Sequence, residues 1–184
     1  MKDNLETATL AGGCFWCTEA IFKRLQGVVS VSPGYTGGTT DNPSYEEVCW
    51  GSTGHAEAIQ IVFDPEKISF KKILDIFWNT HNPTSLNQQG DDFGTQYRSA
   101  IFYHDERQKV AAETSKKEFE DEGIYDRSIV TTIIPFTKFY PAEDYHKNYF
   151  DSNKNAPYCE VVISPKIHKL LEKYGQDVKK KYRL

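Results

Sequence analysis

The stretch AEAIQIVF, residues 56 to 63, constrains the fold more than any other part of the chain. Its alternating sets are Ala58, Gln60 and Val62 on one side and Ile59, Ile61 and Phe63 on the other, and both are mostly apolar. A strand of that kind belongs in the interior of a sheet with its faces covered. Asp64-Pro65 ends it. Residues 6 to 11 read as a short strand broken by Gly12-Gly13, and a helix follows from about Phe15 to Gln26 with Gly27 as its stop. Val28 to Tyr35 is a strand running into the turn-rich PGYTGG, and Ser44 to Trp50 reads as a short helical turn. Ser69 caps a helix through Thr80, with Phe70, Ile73, Leu74 and Phe77 on one face.

A long loop, His81 to Gln96, precedes a strand over residues 97 to 103, and Asp105 caps a polar helix reaching Asp121. Residues 128 to 134 read as a further strand, and 142 to 150 and 165 to 181 as helices. The order strand, helix, strand, strand, helix, strand predicts an α+β, two-layer sandwich. Its core is a ferredoxin-like split β-α-β unit with long loops and C-terminal helical additions. One catalytic domain spans residues 1–184, with a core over about 6–135 and an extension over about 136–184.

A chain of 184 residues, 39% hydrophobic, can bury a core without staples. The formal net charge of −4 and the lack of a basic stripe give nucleic acid no foothold. The one basic cluster, Lys179 to Arg183, reads as a solvated helix end. No apolar run reaches membrane-span length, and MKDNLETATL lacks the apolar stretch of a secretory signal. The expectation is a cytoplasmic protein without a membrane partner, and a monomer, since no coiled coil is visible. Four cysteines, Cys14, Cys17, Cys49 and Cys159, are too few and too uneven for a disulfide scaffold, so catalytic or metal-binding roles come forward.

Cys14 follows a strand and two glycines and opens a helix, where unpaired N–H groups and the dipole favour a thiolate. The competing reading is a buried inert cysteine. Cys17 completes a C-x-x-C. A zinc half-site lacks a second pair at ligand spacing, which leaves a redox dithiol or a core bystander. Phe15 and Trp16 beside the thiol serve either as packing or as an apolar wall for a substrate. Glu57 enters an otherwise apolar strand: it is either a solvated edge residue or a carboxyl of raised pKa that donates a proton near neutral pH. His55 reads as a turn residue. In QGDDFGTQYRSAIF, Asp92 and Tyr97 stand at a loop–strand junction, and a neutral Tyr hydroxyl suits an oxygen gaining negative charge.

Together, GCFWCTE, GYTGG, NPSYEEVCWGSTGHAE, HNPT with QGDDFGTQYRSAIFY, and FYPAEDYHKNYF followed by PYC resemble the A-type peptide methionine sulfoxide reductases, in order over roughly residues 7 to 160. The resemblance implies reduction of methionine S-sulfoxide, free or in oxidised proteins, as a repair reaction. It implies Cys14 as nucleophile and Glu57 as the acid that protonates the sulfoxide oxygen. Tyr45 and Tyr97 would hydrogen-bond that oxygen, Asp92 would stand beside the site, and Phe15 and Trp16 would receive the ε-methyl group. It implies a sulfenic acid, an intramolecular disulfide and recycling by thioredoxin, with no cofactor and no metal.

The resolving thiol stays open between Cys159, at the family's C-terminal position and favoured here, and Cys17, which would need suitable Cα spacing and some unwinding of the helix. Cys49 reads as a buried structural thiol. Two other classes compete: a C-x-x-C electron or zinc module, and a cysteine hydrolase pairing Cys14 with His55 or His146.

Overall fold

The computed structural model describes residues 4–183; Met1 to Asp3, where the MKDNLETATL stretch begins, and Leu184 lie outside them. Its main sheet contains β1 (Glu6–Gly12), β2 (Val28–Thr36), β3 (Ala56–Phe63), β6 (Ser99–Tyr103), β7 (Thr132–Pro135) and β8 (Phe139–Pro141), in the order β7-β6-β1-β3-β2-β8. All neighbours are antiparallel except β6 and β7. A two-stranded hairpin, β4 (Gln88–Gln89) with β5 (Asp92–Phe93), stands apart inside the long loop.

The helices are α1 (Phe15–Phe22), α2 (Tyr45–Cys49), α3 (Phe70–Thr80), α4 (Glu106–Asp121), α5 (Tyr149–Ser152) and α6 (Ser164–Tyr174). Ser69 and Asp105 cap α3 and α4 as their sequences predict, accepting from the backbone N–H of Lys72 and Gln108. Ser44 and Glu47 form a reciprocal capping box on α2.

The central strand is covered on both faces. Ile59, Ile61 and Phe63 join Leu10 of β1 and the buried sides of α1 and α3 in the large core. Ala56 and Ala58 face the other way, with Ala11, Ala100 and Phe102, under Ile134, Phe136 and Phe139.

Strand register then decides what meets at one end of the sheet. Leu10 pairs with Ile59 and Tyr35 with Glu57, so the chain leaving β1 passes the start of β3. Gly12 pairs with Ser99, which brings Tyr97 just upstream of β6 to the same end.

Several sequence expectations need correction beyond the core. The first helix stops at Phe22, with turns before Gly27, and the last strand shortens to 132–135. β8 was not foreseen. The helix expected over 142–150 is a 3₁₀ turn, Asp144–His146, and the short α5, separated by Asn148 in the left-handed region at φ 54°. The helix expected over 165–181 ends at Tyr174 and is preceded by a π-helical segment, Cys159–Ile163. The tail after it is no solvated helix end. It forms two 3₁₀ turns and laces onto the turns that follow α1: Gln26 N–H donates to the Asp177 carbonyl at 2.7 Å, and Lys179 N–H to the Arg24 carbonyl at 2.8 Å.

The same region holds a nearly buried cation. Arg24 donates to the Ala20 carbonyl at 2.7 Å and to Asp151 at 2.5 Å, between the rings of Phe150 and Tyr182. Lys23 reaches the same carboxylate at 2.6 Å. Asp151→Ala leaves the guanidinium desolvated without its anion, and is expected to cost about 2–3 kcal/mol, or about 5–10 °C in Tm by calorimetry. A loss under 1 °C would mean that Arg24 is satisfied without Asp151.

Candidate active site

The backbone at the end of β1 sets the first group. Gly13 adopts φ 91°, and a Cβ there would lie 2.6 Å from the Gln89 side chain, so only glycine serves the turn. Cys14 follows as the N-cap of α1. Its carbonyl accepts from Cys17 N–H at 3.1 Å and Thr18 N–H at 3.3 Å. Cys14 is therefore the residue at which α1 begins, and residues 14–17 form the first turn of the helix. The next N–H, of Phe15, donates to Glu57 Oε2 at 3.0 Å, which seats a carboxyl on the positive end of the helix.

Glu57 and Cys14 are both buried. Burial pushes the Glu57 carboxyl up to about 8; the Phe15 N–H bond pulls it down by less, and the charges of Asp92 and Cys17 push it further up. The carboxyl is thus held protonated at neutral pH, and it is buried, not a solvated edge residue. The thiol departs from expectation. Burial, then its hydrogen bond with Cys17 and the Glu57 charge, hold the Cys14 pKa well above the ordinary range, so the helix end does not win against desolvation. Cys17 is instead lowered to about 7, chiefly by the neighbouring Cys14 and against its own burial. All four cysteines are free thiols.

The tyrosines are neutral donors. Tyr97 and Tyr45 are both shifted up by burial and next by the Glu57 charge. Tyr45 is held at its backbone, where its N–H donates to Glu143 Oε1 at 2.9 Å, while Tyr35 O–H donates to Glu143 Oε2 at 2.7 Å. Cys49 is half-buried and hydrogen-bonded to Tyr45, so it is not the buried structural thiol expected.

Phe15 and Trp16 sit among aromatics. Phe15 packs 5.0 Å from the His146 ring and 6.3 Å from Tyr45; Trp16 stacks on Tyr149 with centroids 3.7 Å apart and planes at 6°. Trp16 Nε1–H donates to His146 Nδ1 at 3.0 Å, which fixes the indole and leaves the buried His146 Nε2 without a hydrogen-bond partner. Burial keeps His146 below its ordinary pKa.

One residue that sequence reading passed over joins these groups. Tyr158 O–H donates to Asp92 Oδ2 at 2.7 Å and lies 3.8 Å from Cys17 Sγ. Its sequence signal is its place in PYC, immediately before Cys159. Cys159 itself is fully buried in the π segment, and burial raises its pKa. His55 is a loop anchor: it accepts from Gly38 N–H at 3.0 Å and bonds the Thr40 carbonyl at 2.7 Å. Among the described residues neither His55 nor His146 hydrogen-bonds Cys14, as a hydrolase would require, and no group of three or more His, Cys, Asp or Glu converges as metal ligands. No helix among them is long and apolar enough to cross a membrane. The arrangement can bind a small apolar group beside a thiol, protonate a neighbouring oxygen, and place a second thiol within one turn.

Comparison with known proteins agrees with that chemistry. A family model described as peptide methionine sulfoxide reductase matches residues 6–179. Peptide methionine sulfoxide reductase MsrA of Sulfolobus acidocaldarius is 54% identical over 170 residues, covering 92% of this chain and 96% of that protein. Among solved structures, Mxr1 from Saccharomyces cerevisiae in reduced form superposes with a TM-score of 0.78 at 35% identity, covering 86% of this chain and 91% of that one. Mxr1 in complex with Trx2 resembles the chain at a TM-score of 0.55 and 24% identity, over 81% of this chain and 87% of that one, a likeness of fold.

Proposed function

The chain belongs to the peptide methionine sulfoxide reductase family and is an oxidoreductase acting on the sulfoxide sulfur of methionine, and we propose that it works through Cys14, Glu57 and Cys17, in that order. The ε-methyl group seats against Phe15 and Trp16, which orients the sulfur toward Cys14 and selects the S epimer. Glu57, Tyr45 and Tyr97 surround the sulfoxide oxygen with neutral donors, and their stabilisation grows as negative charge develops there. Cys14 sulfur bonds to the substrate sulfur as Glu57 protonates the oxygen. The oxygen then passes to Cys14, methionine leaves, and the Cys14 thiol proton restores Glu57. The balance is thiol plus sulfoxide giving sulfenic acid plus methionine.

Cys17 attacks next, releasing water and closing a Cys14–Cys17 disulfide. We assign this step to Cys17 in place of the Cys159 that the sequence favoured. The Cys17 N–H bond to the Cys14 carbonyl at 3.1 Å, which keeps the two residues within one turn, carries the assignment, with a Cys17 pKa of about 7 in support. Cys159 is buried in the π segment ahead of a tail laced onto the turns that follow α1. A dithiol protein of the thioredoxin kind then reduces the disulfide by exchange. In fold, we read β6, β1, β3 and β2 with α1 and α3 as a ferredoxin-like split β-α-β core; their order and the shared core of the two helices support it.

Fully reduced protein given excess methionine sulfoxide without reductant is expected to release one methionine and lose two thiols, with mass spectrometry placing the bridge between Cys14 and Cys17. Persistence of all four thiols without methionine would overturn the mechanism.

A further inference from the structure

Between α6 and the β4–β5 hairpin lies a cavity of about 490 Å³. Asp92 and Tyr158 line it, so it continues outward from the site. Val161, Val162 and Pro165 give it an apolar floor, and Val161, set on the π segment, is 73% exposed. Lys166 and Lys169 border it from one face of α6, three residues apart. Neither makes an ion pair or side-chain hydrogen bond among the described residues. On the hairpin side stand the exposed Asp91 and the half-buried Asp92, the latter already engaged by the Tyr158 hydroxyl.

We propose that this groove seats the polypeptide flanking an oxidised methionine, and that Lys166 and Lys169 favour an acidic side chain there. The inference rests on the reductase reading and names a substrate class for the same site. A sulfoxide held beside Cys14 leaves the rest of its chain at the mouth, where the exposed Val161 and its apolar neighbours offer contact. A carboxylate on the α6 side meets two unpaired ammonium groups, and Asp91 repels it from the opposite wall. Lysines are flexible point charges, so they select charge within a few residues of the sulfoxide without reading a sequence.

The test compares three otherwise identical hexapeptides carrying methionine sulfoxide flanked by Glu, Gln or Lys. Each kcat/KM is divided by the same protein's value on the neutral N-acetyl methionine sulfoxide N-methylamide, so a general loss of activity cancels. At low ionic strength the wild type is expected to prefer the Glu peptide over the Lys peptide about three- to tenfold, and to lose that preference at 0.5 M salt, on the order of a 4 Å screening length. Lys166→Glu/Lys169→Glu is expected to reverse it, and Lys166→Gln/Lys169→Gln to abolish it. Equal rates across the wild-type series, or a preference unchanged in the double Glu variant, would overturn the groove's role and leave the reductase reading intact. No turnover of the neutral amide by the wild type would overturn both.

Discussion

Glu57→Gln lowers the rate of methionine formation in a single turnover about 10²- to 10³-fold, the range spanned by loss of a positioned acid and of transition-state stabilisation at oxygen. The isosteric amide keeps the space between β3 and the start of α1 but has no proton to give. The pH dependence carries the same signature. Only the protonated carboxyl donates, and its pKa is about 8, so the donor form is present below pH 8 and lost above it. The ratio of wild-type to variant rates should therefore fall as pH rises through about 8, and the Glu57 charge, which holds up the Cys14 pKa in the wild type alone, steepens that fall. Stability moves the same way. The folded state holds this proton more tightly than an unfolded chain, whose carboxyl titrates near 4.3. The resulting stabilisation is full below that value and lost as pH rises through about 8. At pH 9 the variant should melt above the wild type. A rate loss under tenfold, or a ratio flat between pH 6 and 9, would remove Glu57 from the acid role.

Cys17→Ser divides the reaction in two. The first methionine should still appear, one per protein, with one thiol lost and a sulfenic acid trapped at Cys14 by a dimedone probe. Steady-state turnover with thioredoxin should fall by about a hundredfold or more, the advantage of a tethered thiol over one that arrives by collision. Cys159→Ser should keep turnover within about threefold, since burying a hydroxyl near a cysteine's volume costs stability rather than chemistry. The reverse pattern would return the resolving role to Cys159.

The parts of the fold legible in the sequence are those fixed locally. β3 announces itself by apolar residues on both alternating sets, and α3 and α4 by Ser69 and Asp105 at their caps. β8 is three residues with a proline, and exists because Gly34 to Thr36 offer it a ladder. The interrupted helix at 142–150 turns on one residue, Asn148, in the left-handed region while its N–H donates to Glu19 at 2.9 Å. In the site, residue types and order pointed to Cys14, Glu57 and Tyr97, whereas the protonation of Cys14 depended on burial by distant segments, which local sequence does not carry. Tyr158 becomes part of the site through a bond to Asp92 across 66 positions.

The lacing of the tail onto the turns that follow α1 has a consequence for biosynthesis. Gln26 and its brace at Gln176 are 150 positions apart. At about 5–20 residues per second, a ribosome delivers the second roughly 8–30 s after the first. The helix that opens at the nucleophile is thus among the first elements made, and the turns that follow it are among the last secured. A nascent chain that has passed residue 100 already holds Cys14, Glu57 and Tyr97, yet the turns that follow α1 stay unbraced until translation is almost over.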